Sequence, residues 1–137
     1  MKSILALSLF VFFTNVTHAK SLLVFKTVSN CVTAQNPSES EVTINVQEAQ
    51  DGQSQIIVQF LGDAHSEAIS TKKILPPKGM AGAPVKYTGK IVGMSNNDIA
   101  LAVGVRPVKN GKFTGRAATL TIDQHLDRLP MICVSSK

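Results

Sequence analysis

Glu41-Val42-Thr43-Ile44-Asn45-Val46-Gln47 alternates polar and apolar side chains without a break, and Gln55-Ile56-Ile57-Val58-Gln59-Phe60-Leu61 follows it after a short polar interval. Successive side chains of a strand project to opposite faces, so Val42, Ile44 and Val46 share one face and Glu41, Thr43, Asn45 and Gln47 the other, as in a half-buried strand. The three-residue loop Gln50-Asp51-Gly52 puts glycine where a left-handed residue is needed, and makes Gln55 to Leu61 the hairpin partner. That loop sets Val46 opposite Ile56, Ile44 opposite Val58 and Val42 opposite Phe60. A slip of one residue would pair apolar with polar positions along the whole hairpin, so the pattern fixes its own register.

The same reasoning extends to both sides. Lys109-Asn110-Gly111-Lys112 carries the Asn-Gly signal of a two-residue type I′ turn, and counting outward from it pairs Val103 with Ala118, Leu101 with Leu120 and Ile99 with Ile122. Val85, Tyr87 and Ile91 share a parity opposite to that of Lys86, Thr88 and Lys90, and Ser95-Asn96-Asn97-Asp98 joins that strand to Ile99–Val108. Leu22 to Ala34 reads as a first strand ended by Asn36-Pro37-Ser38, and Met131 to Ser135 as a final short one. Asp123 to Leu129 reads as one helical turn before Pro130, capped by Asp123. The expected fold is all-β, a single small antiparallel β-sandwich or small barrel of about seven strands with at most one short helical turn. An eight-stranded membrane barrel is the alternative architecture. Its short strands, outward Lys86 and Lys90 and lack of a lipid-facing aromatic girdle fit it poorly.

Met1-Lys2, the apolar run Ile4 to Val16 and the small residues Thr17 and Ala19 make residues 1–19 a cleavable signal peptide, with Lys20 the first mature residue. The run is shorter than the roughly 20 apolar residues of a spanning helix, so no membrane span is expected after cleavage. Residues 20–137 suffice for one domain. Cleavage removes one basic residue, Lys2, from the fourteen in the chain, leaving thirteen against nine acidic ones and a net charge of +4. That mild excess aids solubility and favours anionic surfaces such as lipid headgroups or nucleic acid without naming a partner. Cys31 and Cys133, near the two ends of the domain, are expected to form a disulfide bond in an oxidising compartment, which makes the first and last strands neighbours. The expected localisation is secreted: the periplasm in a Gram-negative source, otherwise the extracellular space.

Ile99-Ala100-Leu101-Ala102-Val103-Gly104-Val105 is apolar on both faces, its second face built of Ala100, Ala102 and Gly104 with Gly115 and Ala117 on the partner strand. A two-sided apolar strand is usually covered on both sides, and small residues allow close approach of the cover. The long irregular loop expected at 62–84, with Pro76-Pro77-Lys78-Gly79-Met80 in its second half, is the candidate. It forms either a lid or, with the small-residue face, a groove for a ligand or partner protein. The candidate binding residues are Lys78, Met80, Gly82, Ala102 and Gly104.

Asp123-x-His125-x-Asp127 and Asp63-x-His65-x-Glu67 each set a histidine between carboxylates, a weak pattern for a divalent metal. No Gly-x-Ser-x-Gly elbow or phosphate-cradling glycine loop occurs. Lys86, Lys90, Arg106, Lys109, Lys112 and Arg116 form a basic rim, but Phe25, Phe60, Tyr87 and Phe113 fall mostly on core parities, so nucleic acid is not expected as a partner and the rim reads as protection of a sheet edge. The expected function is that of an exported, non-enzymatic binding or interaction protein: an inhibitor, adaptor or assembly subunit of the cell envelope, without a cofactor, whose partner is a protein or another envelope component. The alternatives are a small metal-binding protein or hydrolase using His125 with Asp123 and Asp127, and a homo-oligomeric structural envelope component pairing through exposed edges.

Overall fold

The computed structural model describes residues 23–91, 98–123 and 125–137. The signal segment 1–19, the proposed first mature residue Lys20 and the turn residues 95–97 lie outside them. The chain runs through eight strands: β1 (Phe25–Thr33), β2 (Val42–Ala49), β3 (Ser54–Phe60), β4 (Ser66–Ile74), β5 (Val85–Lys90), β6 (Asp98–Asn110), β7 (Phe113–Ile122) and β8 (Leu126–Ser135). Each pairs antiparallel with the next, and β8 returns to β1, so the sheet closes into a barrel. Of the two expected architectures the barrel is the one formed, with one more strand than the sequence pattern counts.

The hairpin registers are those expected. Val46 faces Ile56, Ile44 faces Val58 and Val42 faces Phe60, and Gly52 takes its left-handed place at φ 89°. Val103 faces Ala118, Leu101 faces Leu120 and Ile99 faces Ile122. The inward residues Ile56, Ile99, Leu101 and Leu120 retain no exposed surface, a burial that stabilises by about 1.5–3 kcal/mol per side chain. Outward positions are largely polar, for example Thr43, Asn45, Gln47, Gln55, Gln59, Lys86 and Thr88. An apolar inside and polar outside invert the arrangement of a lipid-embedded barrel, and no described helix is long and apolar enough to cross a membrane. Cys31 and Cys133 lie directly opposite each other on β1 and β8, bonded at 1.98 Å, so the disulfide clips the seam where the barrel closes.

Four expectations need correction. Residues 66–74 are not part of an irregular loop. They form β4, which shows almost no apolar alternation because Ile69 is its one buried residue. Only residues 75–84 connect β4 to β5. Asp123 and His125 belong to a reverse turn in which the His125 N–H donates to the Ile122 carbonyl, and β8 starts at Leu126 instead of after a helical turn. The short helical element lies elsewhere, a 3-10 turn at Pro37–Glu39 behind left-handed Asn36.

The fourth correction concerns the β6–β7 turn, whose strands meet at Asn110 and Phe113, one residue later than the Asn-Gly reading places them. The offset is cancelled by a bulge, since three residues lie between Val103 and Pro107 while one lies between their partners Ala118 and Arg116. A bulge bends the strand that carries it. Here it folds the tip of the hairpin back as an arm over the outer wall of β8. Ile132 points outward, between the inward Met131 and Cys133, yet is only 2% exposed. The Asn110 side-chain amide donates to the Ala34 carbonyl at 2.7 Å, tying the arm to the end of β1. A Cβ at Gly115 would collide with the Cys133 carbonyl and stand 3.0 Å from the Ile132 side chain. Gly115 thus serves close approach as expected, but what it approaches is β8 and not the 62–84 segment.

Candidate functional site

Among the described residues, inward positions turn ionic on three strands at one end of the barrel, against Glu67 of β4 alone at the other. On β2 the series Val42, Ile44, Val46 ends in Glu48; on β4 the series Ile69, Thr71 ends in Lys73; on β7 the series Ile122, Leu120, Ala118 ends in Arg116. Strand alternation carries each of these ionic side chains into the same mouth, where Tyr87 of β5 joins them. Together with Val28, Leu75, Val85 and Val103 they line a cavity of about 310 Å³, a volume at the small end of ligand pockets.

The polar floor is fixed. Lys73 Nζ lies 2.7 Å from Glu48 Oε1, and the Tyr87 hydroxyl donates to the same oxygen at 2.9 Å. The hydrogen bond from Lys73 holds the Glu48 carboxyl below its ordinary value although burial opposes it. Burial first, and then the Glu48 hydrogen bond and charge, push the Tyr87 phenol above its own. At neutral pH the floor is therefore an ion pair with a neutral phenol locked onto it. Lys73–Glu48 is the one ion pair among the described residues, so Arg116 enters the mouth as a cation with no acidic partner there.

The rim is apolar. Leu75 is 65% exposed, Met80 57% and Val105 55%, and Leu23 and Val24, just before β1, are exposed beside them. Leu75 and Met80 belong to the β4–β5 connection and Val105 to the bulge beyond Val103, all at the mouth. Leu61, in the β3–β4 turn, is the exposed exception at the far end. Charge divides along the same axis. Lys26, Lys78 and Lys86 stand round the mouth with Lys73 and Arg116, against Glu48 and Asp51. The opposite end carries Glu39 and Glu41 between β1 and β2, Asp63 in the β3–β4 turn, Glu67 on β4 opposite Val58, Asp98 at the start of β6, and Asp123 and Asp127 about the β7–β8 turn, against Lys90 and Arg128 and against Lys109 and Lys112 at the tip of the arm that Asn110 ties to Ala34.

The structure divides the candidate binding residues between two places. Lys78, Met80 and Gly82 lie in the turns of the β4–β5 connection, where the Met80 N–H donates to Pro77 and the Ala83 N–H to Met80. Ala102 and Gly104 lie on the outer wall, and the close neighbour of Gly104 is the Ala117 carbonyl. A Cβ at Gly82 would meet nothing within 4 Å, so Gly82 itself does not pack on the small-residue face.

Both histidine motifs fall at the acidic end. Asp63 uses its carboxylate to accept the His65 backbone N–H at 3.0 Å, a turn-forming contact. Asp123, His125 and Asp127 line a shallow depression, and among the described residues no group of three such side chains converges to hold a metal ion.

No protein-family model, curated protein or solved structure matches the chain. The two ends of the barrel are therefore what a functional reading has to work from.

Proposed function

We propose that this chain is an exported, non-enzymatic binding protein that engages a macromolecule or another component of the cell envelope through the mouth end of its barrel. One observation carries the reading: the exposed large apolar side chains Leu75, Met80 and Val105 fall at the barrel end that holds a cavity lined by Leu75, whose floor of Glu48, Lys73 and Tyr87 is already bonded in place. Exposed apolar side chains concentrated at one spot on a polar surface mark a contact site, and preorganised polar groups lower the entropy lost on binding. Glu48 is bound twice and held ionised, and Tyr87 is held neutral, which suits recognition and opposes proton transfer near neutral pH. The leader-like residues 1–19 and the disulfide at the barrel seam support an oxidising destination. Closure of the sheet removes the wall edges that a homo-oligomer would pair through, and the remaining free stretch, along the arm, carries Arg106, Pro107 and Lys109, residues that discourage edge pairing.

The test is capture from a cell-envelope extract by immobilised wild-type protein, by the triple variant Leu75→Ser, Met80→Ser, Val105→Ser, and by a variant altered at the far end, Leu61→Ser with Asp127→Asn. Retention by the far-end variant together with loss by the triple variant is the expected pattern. Equal capture by all three proteins contradicts the proposal.

A further inference from the structure

We infer that the mouth end docks on an anionic lipid surface, its rim side chains entering the headgroup region while Lys26, Lys78, Lys86 and Arg116 contact lipid phosphates. The inference rests on the mouth being the binding end and adds what it binds. Two features that vary independently along a sequence coincide here. Leu23, Val24, Leu75, Met80 and Val105 come from three separate segments and are exposed at one end only because the barrel brings those segments together. The basic side chains come from β1, β5, β7 and the β4–β5 connection and surround the same spot.

A protruding apolar rim within a basic ring is the surface that an interfacial protein presents to a membrane: apolar burial in the headgroup boundary supplies depth, and Lys and Arg supply attraction to anionic lipids. The far end completes the argument, since its carboxylates would be repelled by the same surface, so the field of the whole molecule turns the mouth toward the membrane before contact. Arg116 also finds its missing acidic partner in this pose, because a headgroup phosphate at the mouth accepts its guanidinium fork. A protein partner with an acidic patch would also explain the charges; exposed apolar side chains drawn from three segments and ringed by basic ones suit insertion into a headgroup region.

The test is co-sedimentation of the purified, disulfide-bonded protein with vesicles of phosphatidylcholine, with and without phosphatidylglycerol, at low and high salt. Binding to the anionic vesicles, weak binding to pure phosphatidylcholine and a drop on adding salt are expected. At about fivefold per basic residue lost, Lys78→Glu with Lys86→Glu, which also adds two acidic groups, weakens binding by at least about thirty-fold. Leu75→Ser with Met80→Ser weakens it at both salt concentrations. The far-end reversal Glu41→Lys with Asp63→Lys leaves it within about twofold. Each variant is checked for unchanged thermal unfolding. Absence of binding to anionic vesicles overturns the lipid assignment, and so does equal loss from mouth and far-end reversals. If vesicles do not bind while the apolar rim variant still loses its envelope partner, the lipid assignment falls and the binding-end reading stands; if rim variants affect neither, both fall.

Discussion

At the mouth, Lys26, Lys78, Lys86 and Arg116 surround a concavity with an ion-paired floor and an apolar rim; at the other end, Glu41, Asp63 and Asp123 lie beside turns and Asp98 and Asp127 at strand starts, and Lys90, Asp98 and Asp123 line a cavity of about 390 Å³ that holds no ion pair among the described residues. Both ends are made by the same device, hairpin turns joining neighbouring strands. They differ in where their ionic side chains point. Far-end carboxylates lie mostly in turns, where Asp63 is engaged by backbone, whereas the mouth's Glu48, Lys73 and Arg116 occupy inward positions that elsewhere hold isoleucine and leucine. An ionic residue placed on an apolar parity needs a partner or access to water, and the mouth gives Glu48 and Lys73 the first and Arg116 the second.

The comparison can be broken in order of expected effect. Removing the seam disulfide by Cys31→Ser with Cys133→Ser loosens both ends alike. For a bridge spanning 102 residues the chain-entropy model gives a loss of about 4–5 kcal/mol, to be read by urea unfolding. Disturbing the floor is expected to cost less: Tyr87→Phe removes the phenol's hydrogen bond to Glu48 for a loss of about 1 kcal/mol. A loss there as large as that from the disulfide would make the floor part of the core and not a site.

Ionisation sharpens the contrast. Tyr87 is the single tyrosine and the chain has no tryptophan, so absorbance near 295 nm follows this phenol alone. In the folded protein its titration is expected above the ordinary value of 10.0, moving down in Glu48→Gln and to the ordinary value in denaturant. Because the raised phenol favours the protonated form, its contribution to stability is present below pH 10 and is lost as pH rises through the folded value. Glu48 has the opposite sign. Its folded value is lowered, so the stability advantage of the wild type over Glu48→Gln is full above the ordinary value of 4.5 and disappears as pH falls through the folded one. The smallest effect belongs to the rim, where Met80→Ser is expected to change unfolding free energy by no more than about 0.5 kcal/mol, while changing binding.

Much of the wall is legible in the sequence because two of its hairpins, β2–β3 and β6–β7, each carry a strong turn and an unbroken apolar parity. Val42-Ile44-Val46 and Ile99-Leu101-Val103 announce both their face and their partners. β4 is silent for a physical reason: a strand with one buried residue, Ile69, and outward Ser66, Ala68, Ser70 and Lys72 shows no alternation that a local pattern can detect. β8 is hidden by Asp123, which resembles a helix cap, and by Pro130, whose missing N–H is tolerated on this strand. The candidate site was partly legible. Met80 and Lys78 do lie at the mouth, but the floor is assembled from separate strands whose meeting depends on barrel closure. Its one local trace is Glu48, an ionic residue continuing the parity of Val42, Ile44 and Val46, and the same sign recurs at Arg116 after Leu120 and Ala118. The histidine motifs fall at the far end, and among the described residues their side chains do not converge in a group of three, because spacing in a turn says nothing about convergence.

Hydrogen–deuterium exchange of the folded protein, alone and with cell-envelope extract, tests the division of the two ends most directly. The account expects protection to appear at residues 23–28, 75–86 and 103–106, with exchange at 61–67 and 123–129 unchanged. Protection confined to the second pair of segments would contradict it.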